Sequence, residues 1–320
     1  MIAYLTRRVL HAFVVLWATF TATFFLLYVL PGDRALSKLG ADSGGGAVSL
    51  EQLEKLRAEM GLDQPAIVQY FRALYRAVQG DFGVSAQTGG DALQMFAVGV
   101  PETLKLAACA LMLGLVLGIG WALFASYVRS PRLQQMLMSM PVLGVSVPPF
   151  WVGLVLLQFL SFQWNLFPAM GNTGLASLVL PAIVLAIPKA ALVAQILSRS
   201  LEGALKSSYI ETARSRGASR ARLLAGHAFR NSIIPVITAL GMAAGQLIAG
   251  SIVVETVFSR SGIGLITVKA VTYQDTPVVL VAVVFAAAVF VSVNLIVDLF
   301  YPLIDRRIDI GARRQAVRGA

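Results

Sequence analysis

The sequence predicts an all-α integral membrane protein with six transmembrane helices and a small helical insertion between the first two. Three observations predict it. Of 320 residues, 57% are apolar and only 13% charged, whereas soluble domains carry roughly 25% charged residues. Six apolar blocks are each long enough to cross a bilayer, since a helix rising 1.5 Å per residue needs about 20 residues to span about 30 Å of hydrocarbon. The basic residues behind the formal net charge of +10 gather at the ends of these blocks and in short loops. A nucleic-acid face would instead interleave them with aromatics along one surface, so anionic lipid headgroups are the expected partners and nucleic acid is excluded.

The first block, Val9 to Leu30, follows Arg7 and Arg8 and lacks a small-x-small cleavage site, so it reads as an uncleaved span rather than a signal peptide. The others lie at Val100 to Val128, Leu137 to Phe162, Leu178 to Leu197, Val236 to Phe258 and Val278 to Leu303. Pro148 and Pro149 in the third block, and Pro181 and Pro188 in the fourth, mark expected kinks. Gly114, Gly118 and Gly120 in the second, and Gly241, Gly245 and Gly250 in the fifth, would let helices approach closely.

Residues 31–99 form an expected extracytoplasmic element with structure of its own. Ser49 opens a capping box with Gln52 in a helix ended by Gly61, after a flexible connector at Ser43 to Gly46. A second helix starts near Asp63, with Pro65 in its first turn and Gly80 beyond its end. Trp164 and Phe167 suit an interface belt after the third span. Leu265, Val268 and Val271 suggest a short helix after the fifth.

Orientation follows from the excess of Lys and Arg in short cytoplasmic loops. It places the N-terminus, the Arg129 to Arg132 turn, the Arg199 to Pro235 loop and the tail of residues 304–320 inside, leaving only Arg260 and Lys269 in the short outer loops. Both termini are expected to be cytoplasmic. The five-helix transmembrane core is then residues 100–303, after residues 1–30 and the insertion at 31–99.

Catalytic chemistry is absent from the pattern. His11 and His227 have no carboxylate or cysteine at ligand spacing, and Cys109 is alone, so neither a metal site nor a disulfide is expected. No glycine-rich loop ends in Lys-Ser or Lys-Thr to cradle ATP, and nothing matches a strained nucleophile turn. Within the spans, Lys105, Lys189, Glu255 and Asp298 are ionisable, at about 2.5–3.5 kcal/mol each for a charge at the bilayer centre. Lys105 and Glu255 can snorkel to an interface. Lys189 and Asp298 suit either an internal salt bridge or substrate contact. Lys189, Glu255 and Asp298 are therefore the candidate substrate-pathway residues.

The most basic stretch, Tyr209 to Pro235, reads as helix, break, helix. Ser207 or Ser208 can cap the first helix, Gly217 can end it and Ser219 can cap the second, which carries Leu223, Leu224 and Ala228. Arg214, Arg216, Arg220 and Arg222 surround the joint. Here Glu211, Thr212 and Ala213 precede three residues and Gly217, an arrangement that resembles the EAA loop of ABC importer permeases. Tyr209, Thr212, Ala213, Arg214, Arg216, Gly217, then His227, Ala228, Asn231 and Pro235, fit the peptide-importer branch, including its threonine in place of the motif's first alanine. Leu30 to Asp33, Gly61 to Pro65, Gly80 to Ser85, Pro101 to Leu104, Val254 to Phe258 with Gly262 to Gly264, and Asn294 to Asp298 with Asp305 extend the likeness along the chain.

The chain thus resembles the B-type permease of dipeptide and oligopeptide ABC importers, a bacterial inner-membrane component of type I importer fold. The resemblance implies a heterodimer with a C-type permease, two ATP-binding subunits that hold ATP and Mg, and an extracytoplasmic substrate-binding protein. It implies no cofactor on this chain and no catalytic residue. Tyr209, Glu211, Thr212, Ala213, Arg214, Arg216 and Gly217 would form the ATPase-coupling contact, and residues 31–99 would dock the binding protein or roof the cavity. Importers of nickel chelates, glutathione and other small solutes share this branch. An ATPase-independent secondary transporter or channel is the alternative of a different class.

Overall fold

Long apolar runs free of competing turn residues give long helices. The computed structural model describes residues 2–28, 54–55 and 64–304, and the described residues are organised as helices without a named strand. The Ser43 to Gly46 connector, Leu30 to Asp33, the tail beyond residue 304 and, apart from the helical Glu54 and Lys55, the helix expected between Ser49 and Gly61 lie outside the described residues. The elements are α1 (Ile2–Tyr28), α2 (Ala66–Val78), α3 (Ala92–Tyr127), α4 (Pro131–Ser139), α5 (Pro141–Ser146), α6 (Pro149–Leu156), α7 (Ala176–Leu205), α8 (Ser208–Ser215), α9 (Arg220–Arg222), α10 (Phe229–Ser232), α11 (Ile234–Val257), α12 (Ile263–Thr272) and α13 (Thr276–Ile304). Two π-helical segments, Leu157–Gln163 and Leu223–Ala228, continue α6 and link α9 to α10.

Among the described residues four helices are long and apolar enough to cross a membrane, and the number rises to as many as six if each of two bent pairs is one span. The kink expected at Pro148 and Pro149 is found, while those expected at Pro181 and Pro188 do not break their helix. The third block is broken between Ser146 and Pro149 by 92°, because successive prolines remove two N–H donors and push the residue before each out of the helical region. Pro181 and Pro188 do not interrupt the fourth block: α7 runs through both and continues to Leu205, past the expected end at Leu197. The fifth block is entered from Arg220–Ser232 through a 48° bend.

The chain divides into two compact units, Met1–Thr103 with Ser261–Val291, and Leu104–Arg260 with Ser292–Ala320. In the first unit, α2 packs on α1 through a cluster of Phe20, Phe24, Tyr70 and Leu280. The Tyr70 hydroxyl lies 2.8 Å from Thr21 Oγ1, and its ring meets Phe24 edge-on at 5.4 Å. α2 begins at Ala66, so Pro65 precedes it and is not in its first turn as expected; Gly80 ends it at φ +82°, with Gly80 N–H donating to Ala77 and Asp81 N–H to Arg76. These paired bonds satisfy carbonyls that a helix end leaves open, and the left-handed residue they need is most easily glycine. Val78, the last residue of α2, is exposed.

A turn-rich strap over residues 81–91 then joins α2 to α3. Asp275, 2% exposed, holds the strap: its carboxylate accepts from the Ser85 hydroxyl and from the Ala86 N–H at 3.3 Å. At the start of α12, Thr103 Oγ1 accepts the Ile263 N–H at 2.9 Å. Gly99 lies so close to this turn that a Cβ would stand 2.8 Å from Ile263 N and 2.9 Å from Gly262 C. The short helix expected here is α12, although it buries Ile263, Gly264 and Ala270 rather than the Leu265, Val268 and Val271 set.

In the second unit, α7 is the centre. One cluster sets Leu106 and Ala110 against Leu180, Val184 and Leu185, with Leu247, Val254 and Phe258. The α3–α7 contact depends on small residues. A Cβ at Gly118 would stand 2.6 Å from Val193 Cβ and 2.7 Å from the Ala190 carbonyl oxygen, and one at Gly114 3.0 Å from Lys189 Cβ. Gly120 has nothing within 4 Å and does not serve the packing expected of it. Trp121 Nε1 donates to the Leu137 carbonyl at 2.8 Å, tying α3 to α4. Arg260, expected in an outer loop, is buried and donates to the Gly171 carbonyl and to the carbonyl and hydroxyl of Ser177.

Candidate functional site: the α8 turn and its supports

The basic stretch is almost entirely helical. α7 extends to Leu205, and Lys206 and Ser207 make the link to α8. Ser207 occupies the cap position, yet its hydroxyl donates back to the Ala204 carbonyl instead of accepting from α8. The expected side-chain cap is therefore absent on α8, and Ser207 ties α8 to the end of α7. Ser219 does cap the second helix, accepting from Arg222 N–H at 3.5 Å.

Gly217 ends α8 at φ +81°. Its N–H donates to the Arg214 carbonyl at 3.0 Å, and Ala218 N–H donates to Ala213 at 3.2 Å. This pair closes the last turn and reverses the chain toward Ser219. A Cβ at Gly217 would meet nothing within 4 Å, so the left-handed backbone alone calls for glycine there.

One residue anchors this exposed helix. Ile210 is fully buried among Ala122, Leu197, Leu201, Leu223, Leu224, Ala228 and Val236, and Ala213 packs at the edge of the same cluster. Ile210 and Ala213 are three residues apart and share one helix face, so the opposite face is left outward. Tyr209, Glu211 and Thr212 are exposed there, and Arg214 at the helix edge and Arg216 and Gly217 just beyond its end are exposed as well. Among the described residues neither Glu211 nor these two arginines belongs to an ion pair, unlike Arg76 with Asp81 and Lys206 with Glu202. The face is a compact set of uncommitted charges on a rigid turn.

The structure also brings together residues that the pattern did not connect. Arg220 turns away from the outward face: its Nη2 donates to the Ser126 carbonyl at 3.0 Å and the Val128 carbonyl at 3.2 Å. It thereby caps the end of α3, where open carbonyls and the helix dipole favour a cation. Asn231 Nδ2 reaches the Tyr209 hydroxyl at 3.5 Å, joining the two ends of the stretch. His227 is exposed.

Of the three pathway candidates, Lys189 and Glu255 are not gathered into one place. Lys189, half-buried, donates from Nζ to Gln246 Oε1 at 3.3 Å. Glu255 is fully buried, which sets aside a snorkelling role, and it lies nine residues beyond Gln246, about 14 Å along α11. Asp298 is within α13, with its side chain outside the described set. Lys105 is exposed on α3. Among the described residues no group of three or more His, Cys, Asp and Glu could hold a metal ion.

Comparison with known proteins gives concordant results. Residues 114–310 match the model of the binding-protein-dependent transport system inner membrane component, and residues 1–93 match that of its N-terminal region. A Brucella suis biovar 1 (strain 1330) protein that carries the name of a peptide transport system permease is 34% identical over 316 residues, covering 96% of this chain and 99% of its own. The dipeptide transport system permease protein DppB of Escherichia coli K12 is 33% identical over 318 residues, covering 89% and 92%. In fold, the chain is similar to a solved structure of the MetNI methionine ABC transporter in an inward-facing conformation. The TM-score is 0.56 with 17% identity, over 66% of this chain and 97% of that one.

Proposed function

Because the chain belongs to the family of binding-protein-dependent transport system inner membrane components, we propose that it forms one half of a peptide-importing permease whose α8 turn is gripped by an ATPase. It is a transport component and not a catalytic subunit; ATP hydrolysis resides on separate subunits. In this reading two such subunits hold ATP and Mg, a C-type permease completes a heterodimer, and an extracytoplasmic binding protein delivers the peptide. The basic stretch and both termini face the cytoplasm, as the placement of Lys and Arg supports.

The observation that carries the coupling assignment is the division of α8 into two faces. Ile210 fixes the helix to α7 and to the helix that follows, while Glu211, Thr212, Arg214 and Arg216 remain outside with no internal ion pair. A structural turn would spend its charges internally. A turn that must engage another protein leaves them free and holds its backbone rigid.

Movement of the partner then reaches the spans by two routes. Ile210 transmits it to α7 through packing, and Arg220 transmits it to α3 through the Ser126 and Val128 carbonyls. The test is a complete complex in proteoliposomes carrying Glu211→Lys. The proposal expects normal insertion and assembly, with substrate-stimulated ATPase and peptide uptake no longer linked. Wild-type stimulation together with wild-type uptake would refute it.

A further inference from the structure

Three polar features of the second unit lie at one level, near the middle of its long helices. Lys189 is near the middle of α7 and Gln246 near the middle of α11, and the 3.3 Å bond between them is the single contact their side chains share. Around the same turn of α7, Gly144 is packed so closely that a Cβ would stand 3.2 Å from Ala191 Cβ and 3.3 Å from Ile187 Cγ2. Ile187 and Ala191 share the face of α7 opposite Lys189, so the 92° break after Ser146 is at the level of Lys189 but across α7 from it. Pro148 and Pro149 cannot donate to the carbonyls of Gly144 and Val145, which are thereby left without their ordinary helical donors.

These features do not suit a lipid-facing surface. A cation at mid-membrane is costly and faces a partner or water, and no carboxylate pairs with Lys189 among the described residues. One neutral amide satisfies a single proton of the ammonium and none of its charge. Broken helices with freed carbonyls at the bilayer midplane are tolerated where they line a hydrated cavity. Gln246 Oε1 orients the ammonium, whose other protons have no hydrogen-bond partner among the described residues. A lone carboxylate matches this arrangement, and every unblocked peptide carries one at its C-terminus whatever its side chains.

We propose that Lys189, oriented by Gln246, binds the C-terminal carboxylate of a peptide in transit. The proposal rests on the peptide-import reading and gives it a handle independent of peptide sequence. Binding forms a charge-assisted hydrogen bond between the Lys189 ammonium and the carboxylate, and no covalent bond changes.

The experiment uses the complete complex in proteoliposomes with binding protein saturated by the probe, so that capture does not enter the comparison. Uptake of labelled Ala-Ala and of its C-terminal amide is measured for wild type, Lys189→Met and Lys189→Arg. Loss of a charge-assisted bond predicts about a tenfold or greater fall in Ala-Ala uptake for Lys189→Met, with amide uptake changed less than about twofold and Lys189→Arg recovering most of the rate. A second readout avoids the amide: Lys189→Cys in a Cys109→Ser background should regain uptake with an aminoethyl thiosulfonate and not with its methyl counterpart. Unchanged uptake in Lys189→Met, equal loss on both probes, failed chemical rescue, or subunits that separate in detergent would each overturn the proposal, the last by making Lys189 part of a subunit contact. If wild type imports another solute and neither peptide, the peptide reading itself falls.

Discussion

Arg220 and Ser126 are joined across 94 residues of sequence: Nη2 of the arginine donates to the serine carbonyl at 3.0 Å, and the same nitrogen reaches the Val128 carbonyl at 3.2 Å. The end of α3 is therefore capped by the stretch that also carries the outward face of α8.

Arg220→Ala should remove this cap and weaken the link between the α8 stretch and α3. Hydrogen bonds to a charged group contribute about 1.5–3 kcal/mol where buried, and partial exposure here reduces that. Uptake per ATP hydrolysed should fall severalfold with insertion unchanged. Arg220→Lys should recover part of the ratio, because an ammonium can still approach one carbonyl. The check is uptake and hydrolysis measured together on the same proteoliposomes.

Gly217 separates backbone from contact. Its φ of +81° is costly for a residue with a Cβ, while the surrounding space is open. Uptake should rank glycine above asparagine, asparagine above alanine and alanine above valine, following tolerance of the left-handed region. An alanine penalty of about 1 kcal/mol is expected in thermal unfolding of the purified protein.

Gly118 and Gly120 form a matched pair. Alanine at Gly118 would press on Val193 Cβ and on a backbone oxygen that cannot rotate away, so α3 and α7 must separate. A loss of about 1–3 kcal/mol is expected. Gly120→Ala should be neutral or slightly stabilising, since nothing lies within 4 Å and alanine favours the helix. Melting temperatures in one detergent decide between them.

Asp275 should be the most sensitive position of the strap. Asp275→Ala strips the acceptor from the buried Ser85 hydroxyl, leaving a donor unpaired at about 1–3 kcal/mol. Ser85→Ala should cost less, because Ala86 N–H still meets the carboxylate. Protease cleavage in the 81–91 strap should rise more in the first variant than in the second.

Much of this was legible in the chain. Block length gave most of the membrane helices, and Pro65, Gly80, Gly217 and Ser219 marked helix ends that the structure keeps, because capping chemistry is local. The coupling stretch was legible for the same reason, its charges and breaks being close in sequence. Tertiary effects were not. The kink expected at Pro148 and Pro149 is found, but the unbroken passage of α7 through Pro181 and Pro188 depends on which neighbours support the freed carbonyls, and proline alone does not reveal it. Arg220 looked like its neighbouring arginines until the end of α3 was placed beside it. Gln246 carried no signal in an apolar span before Lys189 was found to contact it. Ser207 matched a cap by position, and only the nearby Ala204 carbonyl diverted its hydroxyl.

The central claim, that the outward face of α8 meets an ATPase, is tested most directly by a cysteine scan of Tyr209 to Gly217 in a Cys109→Ser background, cross-linked within the assembled complex. Cysteines at Glu211, Thr212, Ser215 and Arg216 should join the ATP-binding subunit, with the yield changing between nucleotide-free and ATP-bound states, while a cysteine at the buried Ile210 should not react. Absence of cross-links at all four exposed positions in a complex that still imports peptide would contradict the account.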